Sequence, residues 1–530
     1  MRASPANVLV TCRQPILLQQ NLIELRHAQR ALHTMHLMPK LFIDTVGCQM
    51  NVLDSELVVG SLRRQGYELT TDPKAADVIL FNTCSVREHA EEKIYSALGK
   101  LRGHKEAHPE KIIGVLGCMA QKDQEIVTKR APYVDIVCGP GQLARVPELI
   151  DAAKQSRKKQ YAFSLGRAEA GKLEVTQSFE SYDPNRDPTM RPTPFQAFVR
   201  IQLGCDKFCT YCIVPSVRGP EQGRHPDHIL AEVKQLAGEG CKEINLLGQT
   251  VNSYKFDHGD GRKSRLSDLL YRIQDVAGID RIKFVTSFPK DMSDDLIQAV
   301  RDLPKACKYL HVPAQHGDDV MLKKMKRLYT VGYYKEMVHR CREAMPNVAI
   351  SSDFIVGFCG ETEDQFQTCG ELIRFARFKN SFIFKYSPRR GTKADELYED
   401  DVPEEVKKRR NNDLLAVQAE ISAADHQRQI NSQVEVLVES PSKAALKEQG
   451  ASAYTEHTQL TGRTMTDHIV VFEGHPRLIG QTIKVHIDQA SPWTLFGTVQ
   501  TEENVTVSGD VDVVPAVIRL PDRKIELSLV

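Results

Sequence analysis

Cys205, Cys209 and Cys212 fall within eight residues, in the stretch Phe198-Val-Arg-Ile-Gln-Leu-Gly-Cys-Asp-Lys-Phe-Cys-Thr-Tyr-Cys-Ile-Val-Pro215. This C-x3-C-x2-C spacing lets one tight loop turn three thiols toward a common point. Thiolates are soft ligands that suit zinc or an iron–sulfur cluster. A cluster normally takes four of them, so three from one loop leave an iron open to chelate a small molecule. Two other readings compete. Cys209-Thr-Tyr-Cys212 alone has the spacing of a thioredoxin-type redox pair, but Cys205 and the flanking pattern argue against it. A structural zinc wants a fourth nearby Cys or His, and His225, the nearest downstream histidine, is poorly spaced.

A second set of thiols is spread along the chain. Cys48, Cys84 and Cys118 each follow a segment that reads as a strand, at 40–46, 77–81 and 111–116. Helical patterns separate them, one from 54 to 65 and one from 86 to about 101. Strand–helix alternation at this spacing predicts a doubly wound parallel sheet. The carboxyl ends of such strands share one edge, where ligands bind. A single cysteine there reads as a small buried hydrophobe; three in register point to a shared metal or cluster. Cys138 ends the next strand, 134–137, and fits either a fourth ligand or another buried thiol.

The loop of three cysteines needs a scaffold too. From Gln196 onward, strands end near Leu203, Gly248, Ser287, Gln315, Phe358 and Ser387, with helices at 227–239, 265–277, 293–303, 332–345 and 362–377. Six βα units with right-handed crossovers predict a partial (βα)6 barrel. Its carboxyl face would carry the cysteine loop together with Gln249, Asn252, Ser287, His311, Gln315 and Asp353. Together these suggest a ligand spread across the barrel mouth.

Beyond a long helix that opens at Lys407-Lys-Arg-Arg410, the period changes to two. Short strands read at 433–439, 459–464, 468–473, 482–488 and 494–499, which predicts a small OB-like β-barrel. Arg463, Arg477 and Lys484 are its candidate phosphate contacts. Lys323, Lys324, Lys326 and Arg327 form a further local basic run.

At 530 residues the chain is too long for one domain. We divide it into an N-terminal extension (1–38), an α/β domain (39–152), a linker (153–194), the partial barrel (195–430), the β-barrel (431–500) and a tail (501–530). No apolar run approaches the ~20 residues that span a bilayer, so no membrane role is expected. The formal net charge is +1, so any nucleic-acid surface must be local. Arg2, Arg13, Arg26 and Arg30 face a single acid, Glu24, in the head. A transit peptide fits that charge, but Met38-Pro-Lys runs straight into the first strand, and the head reads as a dispensable extension. Clustered cysteines in such a chain suit metal or chemistry better than disulfides.

The motifs add a resemblance. The C-x3-C-x2-C loop after a first barrel strand resembles the radical S-adenosylmethionine superfamily. There the open iron chelates the cofactor, and one electron cleaves its sulfonium to a 5′-deoxyadenosyl radical. Thr45-Val-Gly-Cys-Gln-Met-Asn51, Asn82-Thr-Cys-Ser-Val-Arg87, Leu247-Gly-Gln-Thr-Val-Asn-Ser-Tyr254, Gly357-Phe-Cys-Gly-Glu-Thr362 and Tyr386-Ser-Pro-Arg-Arg-Gly-Thr392 extend the likeness to the methylthiotransferases over about residues 40–500. The first two motifs resemble the MiaB branch, and the C-terminal module resembles a TRAM domain.

The resemblance implies two 4Fe–4S clusters, one on Cys205, Cys209 and Cys212 and an auxiliary one on Cys48, Cys84 and Cys118. It places Tyr211 near the adenine of S-adenosylmethionine, alongside Gln249 and Asn252 as cofactor contacts. The implied reaction puts a methylthio group on carbon 2 of N6-(dimethylallyl)adenosine, next to the anticodon of tRNA. The implied partners are that anticodon stem-loop, an electron donor and a sulfur donor, for a cytoplasmic monomer. Threonylcarbamoyl-adenosine, a ribosomal-protein aspartate, and a non-catalytic RNA-binding iron–sulfur protein are the alternatives. Two residues depart from the family pattern: Cys359 replaces a usual Pro, and Phe288 a usual His.

Overall fold

A computed structural model describes residues 38–85, 88–164 and 186–500. The head, most of the region read as linker and the tail lie outside them.

The first sheet is parallel throughout. Its strands are β1 (Lys40–Val46), β2 (Glu68–Leu69), β3 (Val78–Thr83), β4 (Ile112–Gly117), β5 (Ile136–Cys138) and β6 (Gln160–Ala162), in the order β2-β1-β3-β4-β5-β6. The order reverses at β1, so the crevice beyond the carboxyl ends of β1 and β3 is the topological switch point. β3 and β4 are buried along their whole length, as parallel strands covered on both faces must be. β6 comes from the stretch read as linker, and helix Val146–Ser156 precedes it. The first unit therefore extends past residue 152.

The helix after β1, α1 (Gln49–Arg64), begins directly behind Cys48, earlier than its periodicity predicts. It is buried on nearly every side, including Asn51, Asp54, Ser55 and Glu56. The cause is a second neighbour. Met50, Leu53 and Leu57 share one apolar cluster with Leu116 and Ile136 of the sheet and with Phe198, Leu203 and Leu247 of the next unit. The polar residues of α1 pair across the same seam. Glu56 holds Arg186 at 3.0 Å and Arg191 at 3.2 Å, so this end of the linker is packed and charge-paired.

The central unit has six parallel strands: β7 (Gln196–Arg200), β8 (Glu243–Leu247), β9 (Arg281–Phe284), β10 (Tyr309–His311), β11 (Ala349–Val356) and β12 (Asn380–Lys385). They form two three-stranded sheets, joined where Ile282 bridges Ala306. The expected partial barrel is present. The run 198–203 is not one strand, however. It breaks at Ile201, and Gln202–Leu203 pairs antiparallel with Gln222–Gly223.

Five strands close the C-terminal barrel: Gln433–Pro441, Thr458–Thr464, Ile469–Gly474, Thr482–Ala490 and Leu495–Val499. Alternation places Val436, Val438, Leu460, Val470, Phe472, Val485, Ile487 and Leu495 inside. The module docks at the amino ends of the central strands. Asp467 receives Lys283 at 2.6 Å, Arg463 at 3.0 Å and Lys379 at 3.5 Å, and Arg281 donates to the Arg463 carbonyl at 2.6 Å. Arg463 is thus paired at the junction. Arg477 and Lys484 are exposed.

Candidate active site: two cysteine triads facing a domain seam

Cys48 caps the amino end of α1, Cys84 follows β3, and Cys118 opens the helix Cys118–Asp123 directly after β4. The switch-point topology brings all three to one edge. Gly117 makes the last turn possible: its φ is +90°, and a Cβ there would lie 2.4 Å from Asn82 Oδ1. An amide network fixes the crevice. Asn51 Oδ1 accepts from the Cys48 thiol at 3.2 Å, and Asn51 Nδ2 donates to Asn82 Oδ1 at 3.1 Å. Asn82 Nδ2 donates to the Asn51 carbonyl and to Ser55 Oγ, both at 2.9 Å. Both asparagines stand in motifs quoted above; their spacing with the cysteines was the only sign of this role.

The neighbouring Cys84 thiol pulls Cys48 down to about 6, against burial and with help from Arg218. Burial pushes the Cys118 thiol up, opposed by the same Arg218. Cys138 is different. Its thiol faces the Gly139 carbonyl at 3.6 Å, it packs with Ile136, Leu143 and Val146, and burial raises it strongly. That is a buried apolar cysteine.

In the other loop, Gly204 has φ +74° and no room for a Cβ, which would stand 2.0 Å from the Pro220 carbonyl oxygen. Cys205 donates its N–H to the Gly219 carbonyl at 3.2 Å, and Cys212 to the Cys209 carbonyl at 3.0 Å. Thr210 ties the loop to the next one: its N–H reaches the Met325 carbonyl at 3.1 Å and its hydroxyl the Lys324 carbonyl at 3.0 Å. Arg327, read as part of a local basic run, is buried. It donates to Cys209 Sγ at 3.3 Å, Tyr329 Oη at 2.9 Å and the Pro313 carbonyl at 3.0 Å. Burial pushes Cys205 up to about 11 and Cys212 up to about 12, with Cys209 adding to both.

The two sites meet at the seam. Cys118 packs against Ile213 and Val217, immediately beyond Cys212. Arg218 donates to Cys118 Sγ at 3.3 Å and pairs with Asp54 at 2.9 Å.

The other predicted contacts divide. Tyr211 packs beside Met321, Phe358 and Tyr386, with its hydroxyl 3.5 Å from Arg327. Gln249 is half-buried at the mouth. Asn252 is buried: its amide donates to the Phe288 carbonyl at 2.8 Å and accepts the Phe288 N–H at 2.7 Å. That clips the loop in place and holds the Asn252 amide in one orientation. Ser287 Oγ, Asp353 Oδ1 and both amide atoms of Gln202 are buried without hydrogen-bond partners among the described residues. Buried polar groups are rarely left so. They mark a polar lumen that fits a polar ligand, and sequence reading missed Gln202.

The mouth is also strained. Phe208, Thr286, Gln315, Lys326 and Leu328 all have positive φ. Such strain concentrates at functional sites, where surrounding structure imposes it. Among the described residues no three His, Cys, Asp or Glu side chains already stand in metal-coordinating geometry. The donor sets themselves are all-thiol, grouped in threes and flanked by arginine, which fits iron–sulfur clusters with a vacant position.

Three family profiles match in series: "Uncharacterized protein family UPF0004" over residues 40–139, "Radical SAM superfamily" over 199–373 and "TRAM domain" over 427–500. A Rhodopirellula baltica protein named tRNA-2-methylthio-N(6)-dimethylallyladenosine synthase is 56% identical, covering 88% of this chain and 97% of that one. A protein of the same name from Acidovorax sp. (strain JS42) is 43% identical, covering 89% and 99%. The chain belongs to the tRNA-2-methylthio-N(6)-dimethylallyladenosine synthase family. Cys48, Cys84 and Cys118 lie within the first profile, Cys205, Cys209 and Cys212 within the second, and the C-terminal barrel within the third. Among solved structures, the radical S-adenosylmethionine methyltransferase TsrM from Kitasatospora setae has a TM-score of 0.48 and 13% identity, covering 68% of this chain and 77% of that one, a likeness too loose to bear on function. Among the described residues no helix is long and apolar enough to cross a membrane.

Proposed function

We propose that the protein is a radical S-adenosylmethionine methylthiotransferase that replaces the hydrogen on carbon 2 of N6-(dimethylallyl)adenosine, next to the anticodon of tRNA, by a methylthio group. The observation that carries this reading is the contact of Cys118 with Ile213, Val217 and Arg218, which sets the two thiol triads against one seam. Cys205, Cys209 and Cys212 would hold one 4Fe–4S cluster and Cys48, Cys84 and Cys118 the other. When bound, the clusters and S-adenosylmethionine supply a methyl group, a sulfur site and a radical able to take hydrogen from an unactivated C–H bond.

The chain's own residues hold and orient. Arg327 keeps a buried cation against Cys209, and Arg218 does the same for Cys118. Tyr211 stands beside Cys212 to pack on the cofactor's adenine, and Gln249 to meet it from the mouth. Asn252 acts one step back, by fixing Phe288. Ser287 Oγ and Asp353 Oδ1, buried without partners among the described residues, offer acceptors in the lumen, where low dielectric strengthens hydrogen bonds. Exposed Arg477 and Lys484 of the TRAM module would meet tRNA phosphates, making binding salt-dependent. The enzyme would work in the cytoplasm as a monomer, with an electron donor and a sulfur donor as further partners.

Anaerobic reconstitution with a prenylated anticodon stem-loop tests the reading. Mass spectrometry should find a methylthio group on the target base and 5′-deoxyadenosine as coproduct. Iron content should be about eight per chain, falling to about four when Cys205, Cys209 and Cys212 become Ala. Absence of 5′-deoxyadenosine would leave an RNA-binding iron–sulfur protein; methylthiolation of a ribosomal-protein aspartate instead would change the substrate.

A further inference from the structure

We propose that Phe208 and Leu328 form an apolar rim that receives the dimethylallyl group of the target adenosine, with Lys326 beside them for a flanking phosphate. The proposal rests on the function argued above and adds the residues that would tell a prenylated adenosine from a plain one.

Three observations converge on this rim. Phe208 is 41% exposed and Leu328 56% exposed, although each directly adjoins a buried residue of the thiol site, Cys209 and Arg327 respectively. All three rim residues are held in the left-handed region, at φ +53° for Phe208, +56° for Lys326 and +61° for Leu328. L-residues rarely sit there unless surrounding structure requires it. The requirement is visible: Arg327 is drawn inward to Cys209 Sγ and the Pro313 carbonyl, which turns its two neighbours outward. The two loops are also fastened together. Thr210 hydrogen-bonds the carbonyls of Lys324 and Met325, and Lys326 Nζ lies 5.4 Å from the Phe208 ring centroid.

The Phe208 ring, the Lys326 ammonium over it and, two residues on, the exposed Leu328 thus stand on the two fastened loops at the cysteine site. Exposed apolar side chains displayed at a cost in backbone strain mark a contact surface. The substrate matches its chemistry: a branched five-carbon group with no polar atom, joined to a nucleotide whose phosphates carry negative charge. A plain adenosine would leave the apolar part of the rim wet.

Binding separates this from a general RNA grip. Fluorescence anisotropy with the full-length protein would compare two anticodon stem-loops that differ only in the dimethylallyl group. Wild type should prefer the prenylated loop by at least about tenfold, the lower end for a single methylene in an apolar site. Leu328→Ser and Phe208→Ala should each cut that preference below about threefold while the plain loop binds as before. Lys326→Gln should weaken both loops equally. Equal weakening of both loops by Leu328→Ser, a full preference retained in both apolar variants, or no preference in wild type overturns the proposal. Phe208 adjoins a cluster ligand, so Leu328→Ser, on a separate loop that carries none, guards against a local distortion being misread. Methylthiolation by wild type is measured separately: if it succeeds while the preference survives both substitutions, the rim assignment fails and the function stands; if it fails, the function itself falls.

Discussion

Arg218 Nε donates to Cys118 Sγ at 3.3 Å, joining two residues from different domains. Its other arm pairs with Asp54 at 2.9 Å, and Arg200 approaches the same carboxylate only to 3.8 Å. The guanidinium therefore serves a thiol of one triad from the loop that carries the other. Replacing it by Met should strip the buried Asp54 of its cation at 2.9 Å. Breaking a buried pair from one side costs about 3–5 kcal/mol. Urea unfolding should show that loss, and reconstituted iron should fall on the Cys48/Cys84/Cys118 side. Arg218→Lys should recover part of the stability, because it keeps the charge and loses the fork. Unchanged stability in Arg218→Met would mean the contact is incidental.

Gly204→Ala tests the turn into the cysteine loop. A left-handed non-glycine residue costs roughly 1–2 kcal/mol on its own, and here the new Cβ meets the Pro220 carbonyl oxygen at 2.0 Å. The loop must shift. Iron bound by Cys205, Cys209 and Cys212 should be lost while the other triad keeps its share, so chemical iron analysis should read about half of wild type. A full iron content would refute the argument.

Asp467 tests how the C-terminal barrel is held. Lys283, Arg463 and Lys379 surround its carboxylate. Burial opposes the charge, but these cations hold Asp467 well below the ordinary carboxylate range. A depressed carboxylate contributes stability that is present above its unfolded pKa and lost as pH falls below it. Asp467→Asn should remove that contribution at neutral pH, at a cost of about 3–5 kcal/mol. Limited proteolysis should release the 433–499 module sooner. Unaltered digestion would show that apolar packing alone holds the junction.

His426 supplies a second pH dependence, of the same sign but in a higher window. Burial first, then the neighbouring His468, lowers it from 6.5 to about 4; Asp425 and the Pro492 carbonyl oppose the shift. The ring is neutral in the fold, with Nδ1 2.9 Å from the Pro492 carbonyl. Unfolding lets it take a proton below about 6.5, so stability should fall as pH drops from 6.5 toward 4. The upper bound is about 3 kcal/mol, from 1.36 kcal/mol per unit. His426→Asn keeps a donor toward Pro492 and should flatten that slope in thermal melts between pH 4 and 7. An unchanged slope would assign the dependence elsewhere.

Much of this was legible in one dimension. Three cysteines in one loop must be near each other whatever the fold, because eight residues cannot separate them far. Strand–helix alternation implied a shared carboxyl edge for Cys48, Cys84 and Cys118, and period-two alternation implied the small barrel; both follow from the local geometry of strands and helices. The strand starting at Gln160 escaped because three residues give no period to read.

What the sequence could not settle was which side faces which. Arg218 and Cys118 are 100 positions apart, and Arg327 and Cys209 are 118 apart; no local pattern distinguishes those arginines from surface ones. Arg327 sat in a basic run and is buried against Cys209 and Pro313; Arg463 looked like a phosphate contact and is half-buried, paired with Glu439 and Asp467. The clip between Asn252 and the backbone of Phe288, 36 positions on, was equally invisible. Types and spacing determined that this chain carries two thiol triads on two α/β scaffolds. Only the packing of α1 between those scaffolds decided that the triads share a seam, because burying that helix on both faces is what brings the two domains together.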